Sequence, residues 1–225
     1  MFIELVGSLR CVRAHEPTWL VASAYRMEDR DIVSGELGCH VCGARYSVER
    51  GVVDFRELGA ASSSPTYRPA GQHQPRDPAR QVAPTELALR IAALLDLASP
   101  GGLAVLVGEW SAAAVPLASG ELIERVQLLA CDPDADLESG GGISLALTGR
   151  LIPLRPAVAR GIALDDAHSE PDYVSSAAEA LRPGGRLLAP SSAPLPPGLE
   201  EITRDDRYWL ASKGALVQRV MLGVR

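Results

Sequence analysis

The chain has 225 residues with a formal net charge of −6, and 47% of them are hydrophobic, which is an ordinary composition for a globular protein. The acidic balance and the 4% aromatic content argue against a protein whose main partner is nucleic acid, since such proteins carry a basic footprint and aromatic platforms for base stacking. The best apolar stretch, 101–108, is far shorter than the roughly 18 residues of a membrane helix. The first residues also lack the basic flank and apolar run of a signal peptide. We therefore expect no membrane span and a cytoplasmic location.

Three of the four cysteines fall in the first fifth of the chain, which favours metal ligands over disulfides in a chain without a secretory signal. The segment "CHVCG" is a C-x2-C-G knuckle, in which the thiolates of Cys39 and Cys42 can hold one zinc ion. A structural zinc site needs four ligands, so Cys11 is the third candidate and His15 is the fourth. His40 ranks lower because it lies inside the knuckle and would have to turn back. The alternative is a metal-free fold with ordinary buried thiols.

The N-terminal part, 1–56, resembles the small zinc-ribbon activator subunit of tRNA and ribosomal methyltransferases. The likeness rests on "LRC" near the start and on "ELGCHVCGARYSVERGVVDF" at 36–55. The residues in register with the family's pattern are Leu37, Cys39, Cys42, Tyr46, Val48, Gly51 and Val52. The first half departs from that pattern, because Val12 replaces a proline and Ala14 stands where a second cysteine is expected. The resemblance implies a small β-rich ribbon with a structural zinc ion, which lies against a methyltransferase domain.

Residues 57–84 are rich in Ser, Pro, Gln, Arg and Ala and contain almost no large aliphatic side chains. Such a segment cannot bury enough apolar surface to offset its ordering entropy, so we predict a flexible linker. The third part, 85–225, opens with an amphipathic helix that Thr85 can cap. Glu86 and Arg90 form an ion pair on the outside of this helix.

The rest of the third part alternates apolar strands with helices. The predicted strands are 103–108, 126–132, 143–147, 161–165 and 185–190. A short helix begins near Pro171 and ends at the "RPGG" run. Continuous apolar strands alternating with helices predict an α/β fold with a doubly wound, Rossmann-like parallel sheet.

The C-terminal end of the sequence predicts an antiparallel hairpin that closes this sheet. Its two strands flank a turn at Ser212–Gly214, and the second strand is 215–225. Three prolines in 191–200 exclude a regular helix before the hairpin. We therefore expect a trimmed fold with an open sheet face, which the N-terminal part, a second copy or another protein would cover.

The segment "EALRPGGRLLAP" at 179–190 resembles the turn and fifth strand of class I S-adenosylmethionine methyltransferases, and the likeness extends over 85–225. In that family the first strand ends in an acid and a Gly-x-Gly-x-Gly loop, whose glycines let the backbone approach the cofactor. Here the loop reads "VLVGEWSAAAV". Only Gly108 remains, Val107 stands where the acid is expected, and the indole of Trp110 could fill the adenosyl site. Glu109 replaces the acid if the register is shifted.

Further candidates follow the other predicted strands. Asp132 ends the second strand, where the resembled fold has an acid that accepts hydrogen bonds from the ribose; the alternative is that it caps a solvated turn. Thr148 stands where the acid for the adenine amine is expected. After the fourth strand, Asp165, Asp166 and His168 form either a general-base set or a polar loop that caps the next helix.

These features predict a non-catalytic protein, an activator-type zinc ribbon fused to a methyltransferase-like scaffold that acts by binding a protein partner or itself. It has no catalytic residue in this interpretation, and zinc is its cofactor. The alternative is a divergent, active methyltransferase with its activator in cis, which binds S-adenosylmethionine through Gly108, Glu109 and Asp132. A nucleic-acid-binding module is a third hypothesis, which the acidic charge disfavours.

Overall fold

The computed structural model describes residues 1–56, 83–119, 123, 125–133 and 136–214. All but the last two residues of the predicted linker 57–84 lie outside these ranges, as does the predicted final strand 215–225. The division into domains at 1–56, 57–84 and 85–225 therefore stays a prediction.

The N-terminal part contains a short 3-10 helix, Ile3–Ser8, and an antiparallel meander of four strands. The strands are β1 (Leu20–Glu28), β2 (Asp31–Cys39), β3 (Arg45–Glu49) and β4 (Val52–Asp54). In β3 buried and exposed side chains alternate, and in most of β2 buried side chains alternate with half-buried ones, because one face of this meander covers a core and the other is turned toward solvent.

The remaining described residues form an α/β arrangement. Its helices are α1 (Pro84–Leu94), α2 (Ala114–Ser119) and α3 (Pro171–Ala180). Its strands are β5 (Leu103–Val107), β6 (Gln127–Cys131), β7 (Ile143–Leu147), β8 (Ala159–Ala163), β9 (Leu181–Pro190), β10 (Leu199–Arg204) and β11 (Tyr208–Lys213). In the described part of the chain no helix combines the length and the apolar character that crossing a membrane requires.

One sheet contains all eleven described strands, in the order β1-β2-β3-β4-β7-β6-β5-β8-β9-β11-β10. The strands from β4 to β9 in this order are parallel to their neighbours. The C-terminal hairpin adds to β9 in the antiparallel sense. The predicted α/β fold with a Rossmann-like parallel sheet and a C-terminal antiparallel hairpin is confirmed.

Local details differ from the sequence-based predictions. The hairpin turns at 205–207 and not at Ser212–Gly214, because the Asp205 carboxylate accepts hydrogen bonds from the backbone N–H groups of Arg207 and Tyr208 and closes the turn there. Thr85 lies within α1 and does not cap it, since the helix already begins at Pro84.

The sheet face beside the missing helix is covered at Trp209. Trp209 of β11 is fully buried, and its indole N–H donates a hydrogen bond to the carbonyl of Ala193 at 3.0 Å. The proline-rich segment before β10 therefore packs against this strand. Trp209 also shares its apolar core with residues of the N-terminal part such as Leu5 and Leu9, and the prediction that a second copy or another protein covers this face stays a prediction.

Alternate side chains of the central strands point into two cores. In β5, Val105 and Val107 belong to the core that contains α3 and the N-terminal part. Ala104 and Leu106 belong to the core beneath α1 and α2. The continuous apolar runs in the sequence follow from this burial on both faces.

The N-terminal part joins the α/β part through β4. Val52, Val53 and Asp54 pair in parallel with Leu145, Ala146 and Leu147 of β7. Phe55 is buried next to this pairing, and its N–H donates to the carbonyl of Leu147 at 2.8 Å. The N-terminal part thus lies against the α/β part, as the resemblance implies, and the contact is at the β7 edge of the sheet.

This pairing predicts that the two parts stay together after the chain is cut between them. A protease site placed between 57 and 82 should give two fragments that co-elute in size exclusion. Val53→Asp should separate them, because it places an unpaired charge in the shared core at a cost of about 3 kcal/mol or more. Ser47→Asp on the exposed side of β3 is the matched control and should leave the fragments together. Separation of the wild-type fragments would contradict the pairing.

Candidate functional site

Four candidate metal ligands meet at one end of the N-terminal part. Each of Cys11, His15, Cys39 and Cys42 offers one ligand atom, and these four atoms all lie within 4.8 Å of one another. The Cys11 and Cys42 sulfurs are 3.7 Å apart, and the Cys39 sulfur is 3.5 Å from Nε2 of His15. The sequence-predicted set is therefore brought together in space.

The knuckle is built by the turn after β2. The N–H of Gly43 donates to the carbonyl of Cys39 at 2.9 Å, and Gly43 has a φ of 70°, which glycine adopts without a steric penalty. Burial raises the pKa of the Cys39 thiol, but the backbone N–H groups of Cys42 and Val41 donate to its sulfur, and the net effect lowers its pKa to about 7. Such N–H groups stabilise the thiolate that a metal requires.

The two histidines near the knuckle have different roles. Nδ1 of His15 is 2.7 Å from the carbonyl of Glu16. A carbonyl only accepts, so Nδ1 carries the proton and Nε2, which faces Cys39, is free to bind a metal. His40 instead stacks on Trp19 with 4.8 Å between ring centroids and lies outside the cluster.

The donor set and its dimensions fit zinc. Zinc prefers a tetrahedron of sulfur and nitrogen ligands, and Zn–S bonds of about 2.3 Å place two sulfurs about 3.8 Å apart. The Cys11 and Cys42 sulfurs are already at 3.7 Å. The hydroxyl of Tyr46 lies 3.1 Å from the Cys11 sulfur and supplies an outer hydrogen bond, as is common around metal ligands.

A second polar cluster lies at the carboxyl ends of the parallel strands. The strand order reverses between β5 and β8, and in open α/β sheets the crevice at such a reversal is where ligands bind. We call this place the crevice; its residues are Gly108, Glu109, Asp132, Thr148, Asp165, His168 and Tyr173.

The Asp165 carboxylate lies directly against Gly108. A Cβ added to Gly108 would be only 1.8 Å from Oδ2 of Asp165, and the backbone N–H of Glu109 donates to the same oxygen at 3.1 Å. Gly108 has a φ of 59°. Any side chain at position 108 would collide with Asp165. The position of Asp165 therefore explains why a glycine stands there.

His168 bridges two carboxylates in the crevice. Its Nδ1 is 2.5 Å from Asp165 Oδ1, and its Nε2 is 3.4 Å from Asp132 Oδ2. Burial lowers the pKa of His168, but the hydrogen bonds and charges of Asp132 and Asp165 outweigh burial and raise its pKa to about 9. The ring is therefore an imidazolium at neutral pH, which cannot accept a proton as a general base. Asp166, the third member of the predicted set, is exposed.

Asp132 is held by groups of the chain itself. Its Oδ1 accepts a hydrogen bond from the N–H of Thr148 at 2.9 Å, and its Oδ2 accepts one from the Thr148 hydroxyl. The Thr148 hydroxyl is in turn 3.0 Å from the buried hydroxyl of Tyr173. Thr148 and, through it, Tyr173 therefore fix the position of the Asp132 carboxylate.

Trp110 lies on the other side of this crevice. Its indole N–H donates to the carbonyl of Leu164 at 2.9 Å, and its ring packs edge-on against Tyr208 within the core beneath α1 and α2. The Asp165 carboxylate, and not the Trp110 indole, lies against Gly108. The side chain of Glu109 accepts a hydrogen bond from the Tyr208 hydroxyl at 2.9 Å.

These residues do not fit S-adenosylmethionine. The backbone approach that the cofactor needs at Gly108 is taken by Asp165, and both oxygens of Asp132 already accept hydrogen bonds. Among the described residues, the fully buried side-chain atoms without a hydrogen-bond partner are Arg10 Nε and Asp31 Oδ1, and neither belongs to the crevice.

Sequence reasoning missed two members of the crevice. The sequence shows Thr148 only as the residue in place of an expected acid, and it gives no role to Tyr173. A polar residue directly after an apolar strand was the available signal for Thr148. Tyr173 carried none, because its position in α3 is typical of a core residue.

Comparisons with known proteins give a likeness in fold. No protein-family model and no curated protein matches the chain. Among similar solved structures, the antibiotic-resistance methyltransferase Kmr is 14% identical over 57% of this chain and 93% of its own, with a TM-score of 0.36. TrmN from Thermus thermophilus is 21% identical over 57% of this chain and 48% of its own, with a TM-score of 0.41.

A third solved structure, an S-adenosyl-L-methionine methyl transferase from Silicibacter pomeroyi, is 12% identical over 58% of this chain and 94% of its own, with a TM-score of 0.34. All three TM-scores are below 0.5. The chemistry of this chain therefore has to follow from its own residues.

The contact between Gly108 and Asp165 predicts a specific coupling of substitutions. Gly108→Ala should lower the free energy of unfolding by more than about 2 kcal/mol, because it adds a collision with Asp165 to the backbone strain at positive φ. In an Asp165→Ala background the same change should cost only the backbone strain, about 1–2 kcal/mol. Chemical denaturation of the four proteins measures the difference. Equal costs in both backgrounds would show that Asp165 does not occupy this space.

Proposed function

We propose that this chain is a non-catalytic protein with a methyltransferase-like fold, which acts as a partner-binding or regulatory scaffold. The observation that carries the proposal is the crevice itself, where Asp165 lies on Gly108 and His168 joins Asp165 to Asp132. Side chains of the protein make the contacts that a cofactor would make. The polar cluster then stabilises the fold and does not perform a reaction.

The energetics support this proposal. A ligand that entered the crevice would first have to break the hydrogen bonds of Asp165 to Glu109 and to His168, each worth roughly 1.5–3 kcal/mol because charge is involved. It would also leave the buried imidazolium of His168 with one neighbouring carboxylate instead of two. Binding would have to exceed these costs before any affinity appeared.

We further propose that the N-terminal part holds a structural zinc ion through Cys11, His15, Cys39 and Cys42. Four protein ligands leave no open position, so the ion would stabilise the fold and take no part in a reaction. Its thiolate ligands suit a reducing compartment such as the cytoplasm. In this interpretation the zinc-bound part is an activator-type ribbon in cis, which covers the β7 edge of its own scaffold.

The second candidate function is a divergent S-adenosylmethionine-dependent methyltransferase. The observation in its favour is the position of Asp132 at the carboxyl end of β6, beside the strand reversal, where a ribose-binding acid would stand. This function requires Asp165 and His168 to leave the crevice when the cofactor binds.

Calorimetry with S-adenosylmethionine and with S-adenosylhomocysteine separates the two candidates. We expect neither compound to bind the wild-type protein at physiological concentrations. We also expect neither to stabilise it against heat, whereas a ligand at 100 times its Kd would add about 2.7 kcal/mol to the free energy of unfolding. A micromolar Kd would overturn the non-catalytic proposal. In that event Asp132→Ala should weaken binding and Asp166→Asn, its exposed control, should not.

The zinc proposal predicts close to one equivalent of zinc in protein purified without chelator. Cys39→Ala should lose the metal and lower the stability of the N-terminal part, because the binding energy of a structural ion is also folding energy. Cys131→Ala is the matched control: Cys131 is a buried cysteine of β6, remote from the cluster, and this variant should keep the metal. Elemental analysis that finds no zinc in the wild-type protein would contradict the proposal.

A further inference from the structure

The most unusual group in the crevice is a buried histidine between two acids. His168 is 7% exposed, and its two ring nitrogens face Asp165 on its own loop and Asp132 at the end of β6. Since Asp165 also accepts from the Glu109 N–H after β5, one continuous set of hydrogen bonds crosses the point where the strand order reverses. The imidazole ring is the central member of that set.

We propose that His168 is an internal cationic ligand of the crevice and acts as a latch, which holds the carboxyl ends of β6 and β8 together and keeps Asp165 on Gly108. The inference deepens the proposed function, on which it rests, because it says what fills the crevice in place of a cofactor. It assigns the crevice a ligand class, a small planar cation with two opposed N–H donors.

The charges around the ring support a latch. Without the imidazolium, Asp132 and Asp165 would face each other as two partly buried carboxylates, which repel. Arg56 acts on Asp132 electrostatically, but its guanidinium is already paired with Asp54 at 2.6 Å. Removal of the charge of His168 therefore frees Asp165 to leave Gly108, and the crevice opens.

The latch depends on pH through a small set of groups. Asp165 and Asp132 face the ring nitrogens, and Tyr173 of α3 lies beside the ring with centroids 5.0 Å apart. Burial keeps the pKa of Tyr173 well above its usual range, so it stays neutral. Because the pKa of His168 is raised, the latch is closed at neutral pH and opens as the pH rises through about 9.

Chemical complementation tests the assignment directly. His168→Gly leaves a gap with the shape of an imidazole ring between the two carboxylates. We expect imidazole, added at millimolar concentration at neutral pH, to raise the Tm of the full-length His168→Gly protein by several degrees. The wild-type protein should show no such rise, and neither should His168→Gly combined with Asp165→Asn. In His168→Gly combined with Asp166→Asn, the matched exposed control, the rise should persist.

A second measurement does not depend on a folded glycine variant. The ring of His168 in the wild-type protein, followed by NMR, should titrate near 9, and hydrogen exchange at the N–H of Glu109 should accelerate over the same range by more than the intrinsic rise of amide exchange with pH. The latch proposal would be overturned if the His168 ring titrated near 6.5, or if imidazole raised the Tm equally with and without Asp165→Asn. The proposed function can fail independently of the latch. If the wild-type protein binds S-adenosylmethionine while imidazole complementation succeeds, the scaffold proposal is wrong, and the latch then controls access of the cofactor to the crevice.

Discussion

The parallel pairing of β4 with β7 is the interaction on which the rest of the structure depends. It is only three residues long, and backbone hydrogen bonds contribute about 1 kcal/mol each, so the pairing alone would be weak. Its strength comes from the core beneath it, where Val53 and Phe55 share one apolar cluster with Ala146 and Leu154. The edge of the parallel sheet is covered in this way, and an exposed β7 would otherwise be open to another chain.

The crevice shows how a polar cluster at the usual ligand position can be structural. Charged groups at a strand reversal generally indicate a binding site, because burial of an unpaired charge is costly and a ligand supplies the missing partner. Here each charge has its partner within the chain: Asp165 has His168 and the Glu109 N–H, and Asp132 has His168 and Thr148. A satisfied network of this kind fixes the ends of the strands relative to one another.

Much of the α/β arrangement was predictable from local patterns. The continuous apolar runs identified β5, β6 and β7, since a strand that is buried on both faces carries apolar side chains on both. The ion pair between Glu86 and Arg90 in α1 also follows from helical spacing, and it is present at 2.7 Å. The knuckle at Cys39 and Cys42 combined a fixed ligand spacing with a glycine, which is a local signal too.

The missed features depend on contacts between distant residues. Nothing near Gly108 in the sequence shows that Asp165 will lie on it, because the two residues are brought together only by the order of β5 and β8. The hairpin turn was missed although Asp205 carries a turn signal, since the apolar segment after residue 214 suggested a later strand. The pKa of His168 likewise follows from two carboxylates on different elements, and the sequence shows only one of them nearby.

The order of the strands also separates the two candidate sites electrically. Cys39 ends β2 and Gly108 follows β5, with β3, β4, β7 and β6 between them, so five strand spacings of about 4.8 Å place them roughly 24 Å apart. At that distance two unit charges interact by less than about 1 kcal/mol at an effective dielectric constant of about 20, so the charge of a metal ion would act only weakly on His168. Metal binding at one end of this sheet would therefore have little electrostatic effect at the crevice, and the two sites could change independently.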